Sequence, residues 1–533
     1  VQAQGAQTLQ GRAFASGGRL PYQAITQALR TGLEAENAPD DLLADLWLAE
    51  LSRLLPELHE RYPDLPAPVG SETTAQARLF EAVARLGEAW ATRRRLLLFL
   101  DDLHWADAVT LDLLHYLLTR WQESQTPVLL VVTLRSEEVG SRNDLALWLT
   151  NLGRRLPLLR LELPMLSPAA TQTLVDRLLG APAPLAPPVA QPVAQPLATF
   201  GQWLFAETKG HPLYLAETIK ALVERRVLVA GMTAGTWRVV DLEQLVSRTV
   251  TSAQELLPAR LQELILSRVT QLTPSAALLL NAAAVLGERA AFGLLCRVTD
   301  LDELNALTAL EELLVGRLLV ETPPPMSSQE TRYLFVHDQV RTVVYVHAGD
   351  ARRQVYHRRA LAALQQVGAS PAELAHHALA GKLVAAAFGY SIAAGDAAMR
   401  IFATRNALLH YEQAQALART AAPEQITFAQ WQQLYTGLGR AYELVDQWAE
   451  AGNSYETLLQ LARSAGEAVS ECQALNRLAI TYAHGPRDLT RAQQLMQAAM
   501  QVATTSHDLP GLAEAHWSIA SIYRLQGDNQ QAL

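Results

Sequence analysis

The chain has 533 residues, 50% of them hydrophobic, and 44 Lys+Arg against 53 Asp+Glu give a formal net charge of -9. That balance argues against a general nucleic-acid-binding surface. The only cysteines, Cys296 and Cys472, cannot build a disulfide framework or a cysteine metal site, and no apolar run reaches membrane-spanning length. Length suggests about three or four domains. No signal peptide leads from Val1, the cysteine usage suits a reducing compartment, and the expected location is the cytoplasm.

In chain order, Thr8 to Phe14 reads as a strand, and Leu20-Pro21-Tyr22 opens a helix with proline in its first turn. Leu42, Leu43, Leu46, Leu48, Leu51, Leu54, Leu55 and Leu58 fall at helical spacing over 41–60. Another helix is expected from Ser71 to Arg93. The run Leu96–Leu100 suits a strand buried on both faces. Asp107 is placed to N-cap a helix bearing Leu111, Leu114, Leu118 and Trp121. Val128–Thr133 is a second buried strand, a helix covers 143–153, and Leu159–Leu163 is expected as a further strand. Such alternation predicts a parallel α/β sheet.

After Leu166 helices dominate. Ser167 caps a helix, residues 181–198 form a Pro/Ala-rich insertion expected to be extended and exposed, and Val227–Val240 reads as a hairpin. Residues 256–348 are helical with a strand near Tyr333–Val336, and from 349 onward the pattern is helix. Gly439, Tyr442, Ala451 and Tyr455 set a register that Ala479–Tyr482 and Ala520–Tyr523 repeat, with Tyr442, Tyr482 and Tyr523 recurring 40 and 41 residues apart. That period predicts stacked helical hairpins, with an irregular bundle as the alternative. Chain ends at Val1 and Leu533 read as cuts in a longer protein. On that reading the last helix, around Ala513–Leu525, leaves Ala515, Ile519, Ile522 and Tyr523 partly exposed.

The stretch that carries chemistry is Leu96 to Asp107, an apolar strand ending in Asp101-Asp102. Ligands of open parallel sheets bind beyond the carboxyl ends of the strands. A carboxylate there can hold Mg²⁺ beside nucleotide phosphates, and a second can orient a water. A strand that simply ends in an Asp-rich turn is the alternative.

Together these features resemble the STAND class of signal-transduction ATPases, in particular the bacterial branch that joins an AAA-like ATPase to tetratricopeptide repeats, as in maltose-regulator-like transcriptional regulators. Asp101-Asp102-Leu103-His104-Trp105-Ala106-Asp107 is similar to that branch's extended Walker B, Thr133-Leu134-Arg135 to its sensor 1, Gly210-His211-Pro212 to its Gly-x-Pro motif, and Val336-His337-Asp338 to its winged-helix sensor. The resemblance implies a truncated P-loop-type α/β core over 1–165, a helical lid over 166–255, a winged-helix-like domain over 256–348 and tetratricopeptide-like repeats over 349–533. It implies ATP/ADP and Mg²⁺, with Asp101 on the metal, Asp102 on the attacking water and Arg135 on phosphate oxygens. Pro212 would pack on adenine and His337 would reach the β-phosphate of ADP. Each residue has a plainer alternative: Arg135 paired with Glu137 or Glu138, Pro212 as a helix opener, His337 as a packed or capping histidine. His104 and Trp105 read as turn and packing residues.

One motif is missing: no Gly-x-x-x-x-Gly-Lys-[Ser/Thr] occurs in the 533 residues. That loop supplies the backbone cradle and the lysine for the phosphates. The expectation is that it lies upstream of Val1 and that this chain alone binds nucleotide poorly. The implied function is an ATP-dependent switch. Its repeats sense a protein or small-molecule effector, it can form a homo-oligomer with ATP bound, and it contacts DNA only through a further domain. The alternative is a non-enzymatic repeat scaffold carrying a degenerate ATPase fold.

Overall fold

A computed structural model describes residues 5–14, 20–34, 43–68, 72–179, 194–224, 226–230, 237–239, 262, 265–287, 290–322, 330–419 and 426–526. The chain divides into two units. The first is Val1–Leu158, Pro324–Glu330 and Ala351–Leu533, and the second is Leu159–Pro323 and Thr331–Asp350.

The first unit begins with β1 (Gln7–Arg12), α1 (Gln23–Glu34), α2 (Asp45–Leu51), α3 (Glu57–Arg61), α4 (Glu72–Arg93), β2 (Leu96–Asp101), α5 (Ala108–Glu123), β3 (Val128–Val132), α6 (Ser136–Ser141) and α7 (Asn143–Arg155). The three strands form one parallel sheet in the order β1-β2-β3, with Arg12 opposite Asp101 and Leu97 opposite Leu129. Parallel strands need crossovers, and the intervening helices supply them. Leu9, Leu96, Leu98 and Leu100 are buried. Gly11 lets α1 approach β1, since a Cβ there would lie 1.9 Å from the Ala24 carbonyl oxygen. Trp121 donates its indole N–H to the Ala84 carbonyl, and Trp148 donates to that of Leu111, so α4, α5 and α7 are tied by buried hydrogen bonds.

Three expectations change here. The helix expected over 41–60 is two short helices, because Pro56 cannot continue the first. The strands are not buried on both faces: Leu97 and Phe99 of β2 are half-buried, and Leu129 and Val131 of β3 are 62% and 38% exposed. Leu159–Leu163 is no strand; Leu159, Leu161 and Leu163 are 80%, 76% and 95% exposed. An alternating run becomes a strand only with a hydrogen-bonding neighbour, and among the described residues this one has none.

The second unit contains α8 (Pro168–Leu179), α9 (Ala194–Thr208), α10 (Pro212–Glu224) and the antiparallel pair β4 (Leu228–Ala230) and β5 (Trp237–Val239). Ser167 caps α8 by accepting the Ala170 N–H. Residues 181–193 of the expected insertion lie outside the described residues, and α9 has already begun at Ala194. Helices Pro274–Leu286, Phe292–Thr299 and Glu303–Val315 follow, then antiparallel β6 (Leu319–Thr322) and β7 (Arg332–Phe335), then helix Asp338–His347.

The remainder of the first unit is helical hairpins, from Asp350–Gln366 to Leu509–Gln526. Small residues let neighbouring helices close on aromatic rings: a Cβ on Gly439 would lie 2.3 Å from the Tyr455 ring, and one on Gly437 would lie 2.5 Å from the Tyr411 ring. Two of the periodic tyrosines share one role, as Tyr442 donates to Glu412 and Tyr482 to Glu456. The last helix is better covered than expected. Ala515 and Ile522 are buried, Ile519 and Tyr523 are half-buried, and Asn476 donates to the Gly511 carbonyl.

Candidate functional site

β1, β2 and β3 end together, and their last residues meet. Asp101 closes β2, and Asp102 follows in the left-handed region at φ 54. Asp tolerates that conformation better than most residues. The turn is pinned from the neighbouring strand. Thr133 Oγ1 donates to Asp101 Oδ1 at 2.5 Å and accepts the Asp102 N–H at 2.8 Å. The Leu103 N–H donates to the Thr133 carbonyl. One hydroxyl thus uses its donor and an acceptor to fix both acidic residues.

Arg12 enters from the other side. Its Nε and Nη2 donate to Asp102 Oδ2 at 3.0 Å and 2.8 Å, and Nε lies 3.6 Å from Asp101 Oδ2. His104 is 1% exposed with neither ring nitrogen hydrogen-bonded, and its Nδ1 is 3.9 Å from Asp102 Oδ1. Burial lowers its pKa, against the Asp102 charge, so the ring is neutral. Arg142 fixes the loop, donating to the His104 and Ala106 carbonyls at 2.7 Å and 2.8 Å while pairing with Asp144. Asp107 N-caps α5, accepting the Thr110 N–H, the Thr110 hydroxyl and the Tyr22 N–H.

Arg135 precedes α6, two residues beyond Thr133, and is half-buried. The strand ends therefore gather Asp101, Asp102 and the Thr133–Arg135 segment in one place.

Pro212 and His337 belong to the second unit. Gly210 takes φ 75, and a Cβ there would lie 2.0 Å from the Leu166 carbonyl oxygen, so glycine is required for packing alone. Pro212 is the first residue of α10, where its missing N–H costs nothing. His211 stacks on Tyr214 at 4.1 Å. His337 precedes helix Asp338–His347 without capping it by its side chain. Burial lowers its pKa, Glu217 opposes that, and Lys220 adds to it. Both charged residues lie on α10, so His337 is within electrostatic reach of the helix that Pro212 opens. Glu217 itself is buried and paired with Arg268 at 2.8 Å and Lys220 at 2.7 Å.

Sequence reasoning missed Arg12, Arg142 and the Glu217–Arg268 pair. The one available signal for Arg12 was its place at the end of the strand beside the acidic pair.

Residues 1–132 match the family model of the AAA ATPase domain. No curated protein matches the chain. Among solved structures, a STAND protein with a tetratricopeptide repeat sensor from Pyrococcus horikoshii is 13% identical, with 99% of this chain and 75% of that one covered and a TM-score of 0.34. Aspartyl phosphate phosphatase F from Bacillus subtilis is 10% identical, covering 65% of this chain and 73% of that one at a TM-score of 0.27. BtubC from P. vanneervenii is 18% identical over 37% of this chain and 74% of that one, at 0.26. Scores this low carry no argument about what the chain does. The AAA ATPase match spans the sheet from β1 to the end of β3 and includes Asp101 and Asp102. No described helix is long and apolar enough to cross a membrane.

Proposed function

We propose that this chain is a nucleotide-dependent signal-transduction switch whose AAA-type core hydrolyses ATP and whose helical repeats take up a protein or small-molecule effector. The observation that carries the reading is the Thr133–Asp101–Asp102 constellation at the carboxyl end of the parallel sheet. Asp101 is the metal-side carboxylate. A single hard oxygen donor suits Mg²⁺, which keeps most of its water and takes phosphate oxygens for the rest, and among the described residues no cluster of three or more His, Cys, Asp or Glu forms a closed cage. Bound there, the ion would neutralise phosphate charge. Thr133 fixes the Asp101 carboxylate, Asp102 accepts a hydrogen bond from the attacking water, and Arg135 pairs with phosphate oxygens. The water oxygen bonds to the γ-phosphorus, the bond to the bridging oxygen breaks, the water's proton passes to a phosphate oxygen, and ADP and phosphate leave.

In the second unit, Pro212 and His337 serve as adenine and ADP contacts. The three helices followed by β6 and β7 have the order of a winged helix, which would act as an internal lid. A cytoplasmic protein, part of a larger transcriptional regulator that meets DNA through another domain, fits this reading. One observation favours the rival repeat scaffold: no phosphate loop occurs in the chain.

ATP turnover and nucleotide binding test the proposal. Asp101→Asn should cut Mg²⁺-dependent turnover by about a hundredfold or more, while Asp102→Asn slows turnover and leaves ATP bound. Turnover unchanged by both substitutions, or no nucleotide binding by any protein that contains this chain, would leave the scaffold reading standing.

A further inference from the structure

We infer that residues 159–163 are a homodimer contact, pairing antiparallel with the same segment of a second copy about a two-fold axis through Leu161. The segment reads Leu159-Arg160-Leu161-Glu162-Leu163 and lies between Pro157 and Pro164. It takes no regular secondary structure, and its backbone has no backbone partner among the described residues. Alternation puts the three leucines on one face of an extended chain and the two charges on the other. The Arg160 Nη2 to Glu162 Oε1 ion pair, at 3.2 Å, shows that the charges share a side. One exposed leucine is ordinary, but three on one face make an apolar patch.

An unpaired strand edge is a template for another chain, and charges on such an edge normally discourage pairing. Here the charges select a partner. In an antiparallel pair centred on Leu161, Arg160 stands opposite Glu162 of the second copy, Glu162 opposite its Arg160, and Leu159 opposite its Leu163. Centring on Arg160 or on Glu162 would instead set like charges face to face. Parallel pairing in register would do so at both positions. Like charges directly opposite are destabilising, so the sequence favours one orientation and one register. Pro157 and Pro164 lack the N–H that would extend the ladder, which confines pairing to the segment between them. The two leucine faces then merge into one, with three cross-strand leucine pairs. A two-stranded ribbon is marginal by itself, so the dimer is reversible. The contact uses neither the acidic strand ends nor a nucleotide, and it stands apart from the function proposed above.

Sedimentation velocity of the purified chain tests the pairing. Wild type should pass from monomer to dimer as its concentration rises, with or without ATP. Arg160→Glu and Glu162→Arg each set like charges opposite one another at two symmetry-related pairs, and each should weaken the dimer about tenfold. The exchange Arg160→Glu/Glu162→Arg restores both pairs and should recover wild-type association. Leu161→Lys sets two ammonium groups against each other at the two-fold axis and should stay monomeric. Orientation is read from cysteine variants treated with an oxidant. Leu161→Cys should give a disulfide-linked dimer, whereas Met165→Cys, which antiparallel pairing holds about 27 Å from its copy, should not. All of these positions are exposed, so circular dichroism of each variant should match wild type. A wild-type monomer at every concentration, equal association by the single and exchanged charge variants, or linkage through both cysteines overturns the inference.

Discussion

The α/β core and the repeats of the first unit are assembled on opposite plans. In the core, the partners that matter are far apart in sequence: Arg12 meets Asp102 across 90 residues and Thr133 meets Asp101 across 32. In the repeats they are about one hairpin apart: Tyr411 meets Asp396 across 15 residues, Tyr482 meets Glu456 across 26, and Tyr442 meets Glu412 across 30. Strand ends of a parallel sheet concentrate groups from distant segments at one edge, where a ligand can reach them. Stacked hairpins spread similar contacts along a rod, where each serves packing between neighbours. Substitution in the repeats should therefore move stability and leave chemistry alone, whereas substitution at the strand ends should do the reverse.

The sharpest break of that contrast is Tyr455→Ala. The ring is 1% exposed and packed on Gly439, so its loss leaves a cavity and should cost about 3–5 kcal/mol. Urea unfolding followed by circular dichroism should show a midpoint well below wild type, and a shift within error would mean that the hairpins do not depend on this contact. Gly439→Ala asks the converse question at the same interface. A methyl 2.3 Å from a ring that cannot retreat should cost about 1–3 kcal/mol, despite alanine's better helix propensity. A stabilised variant would show that the ring is free to move.

How much of this was readable beforehand follows from the same contrast. The repeats were legible because their contacts recur at the tyrosine period. Asp101 and Asp102 were legible because an apolar strand ending in two acids is local in sequence. Arg12 was not, since nothing near it signals a partner 90 residues away. Arg142 was hidden for a similar reason, meeting His104 across 38 residues. Leu159–Leu163 misled because alternation records a preference, while a strand requires a neighbour. Pro56 was passed over because leucine spacing outweighed a helix breaker. Gly210 and Pro212 were placed correctly at a helix start, yet close packing on Leu166 accounts for the glycine without any ligand.

A histidine pair provides a pH test confined to the repeat side. His357 and His377 are 1% and 3% exposed, and their Nδ1 atoms share a proton at 3.0 Å. Burial, aided by His376 and by Arg353, holds His357 down at about 4 from an ordinary 6.5. His377 is lowered in the same direction, again mainly by burial. A base whose pKa is depressed by folding binds more protons when unfolded, so its share of stability is full above 6.5 and is lost as pH falls towards 4. The urea midpoint should decline between about pH 7 and about pH 5, and His377→Gln should flatten that decline. An equal slope in both proteins would remove this pair as its cause.

The smallest expected effect lies at Asp107, which belongs to the acidic motif by sequence but to packing by geometry. Its Oδ1 accepts the Thr110 N–H at 3.0 Å, while Oδ2 accepts the Thr110 hydroxyl at 2.6 Å and the Tyr22 N–H at 3.2 Å. Burial raises its pKa, and those hydrogen bonds only partly restore it. An acid with a raised folded pKa favours the fold most when protonated, so its contribution is present below its ordinary 3.8 and declines as pH rises through the folded value. At neutral pH the residue therefore offsets a good cap against a buried charge. Asp107→Ala removes the cap and should cost about 1 kcal/mol. Asp107→Asn keeps an acceptor for the Thr110 N–H and drops the charge, but turns a donor towards the Tyr22 N–H. It should cost less than the alanine variant if capping dominates. An asparagine variant as unstable as the alanine one would instead identify the link between Tyr22 and Asp107, across 85 residues, as the feature that holds α1 to the acidic loop.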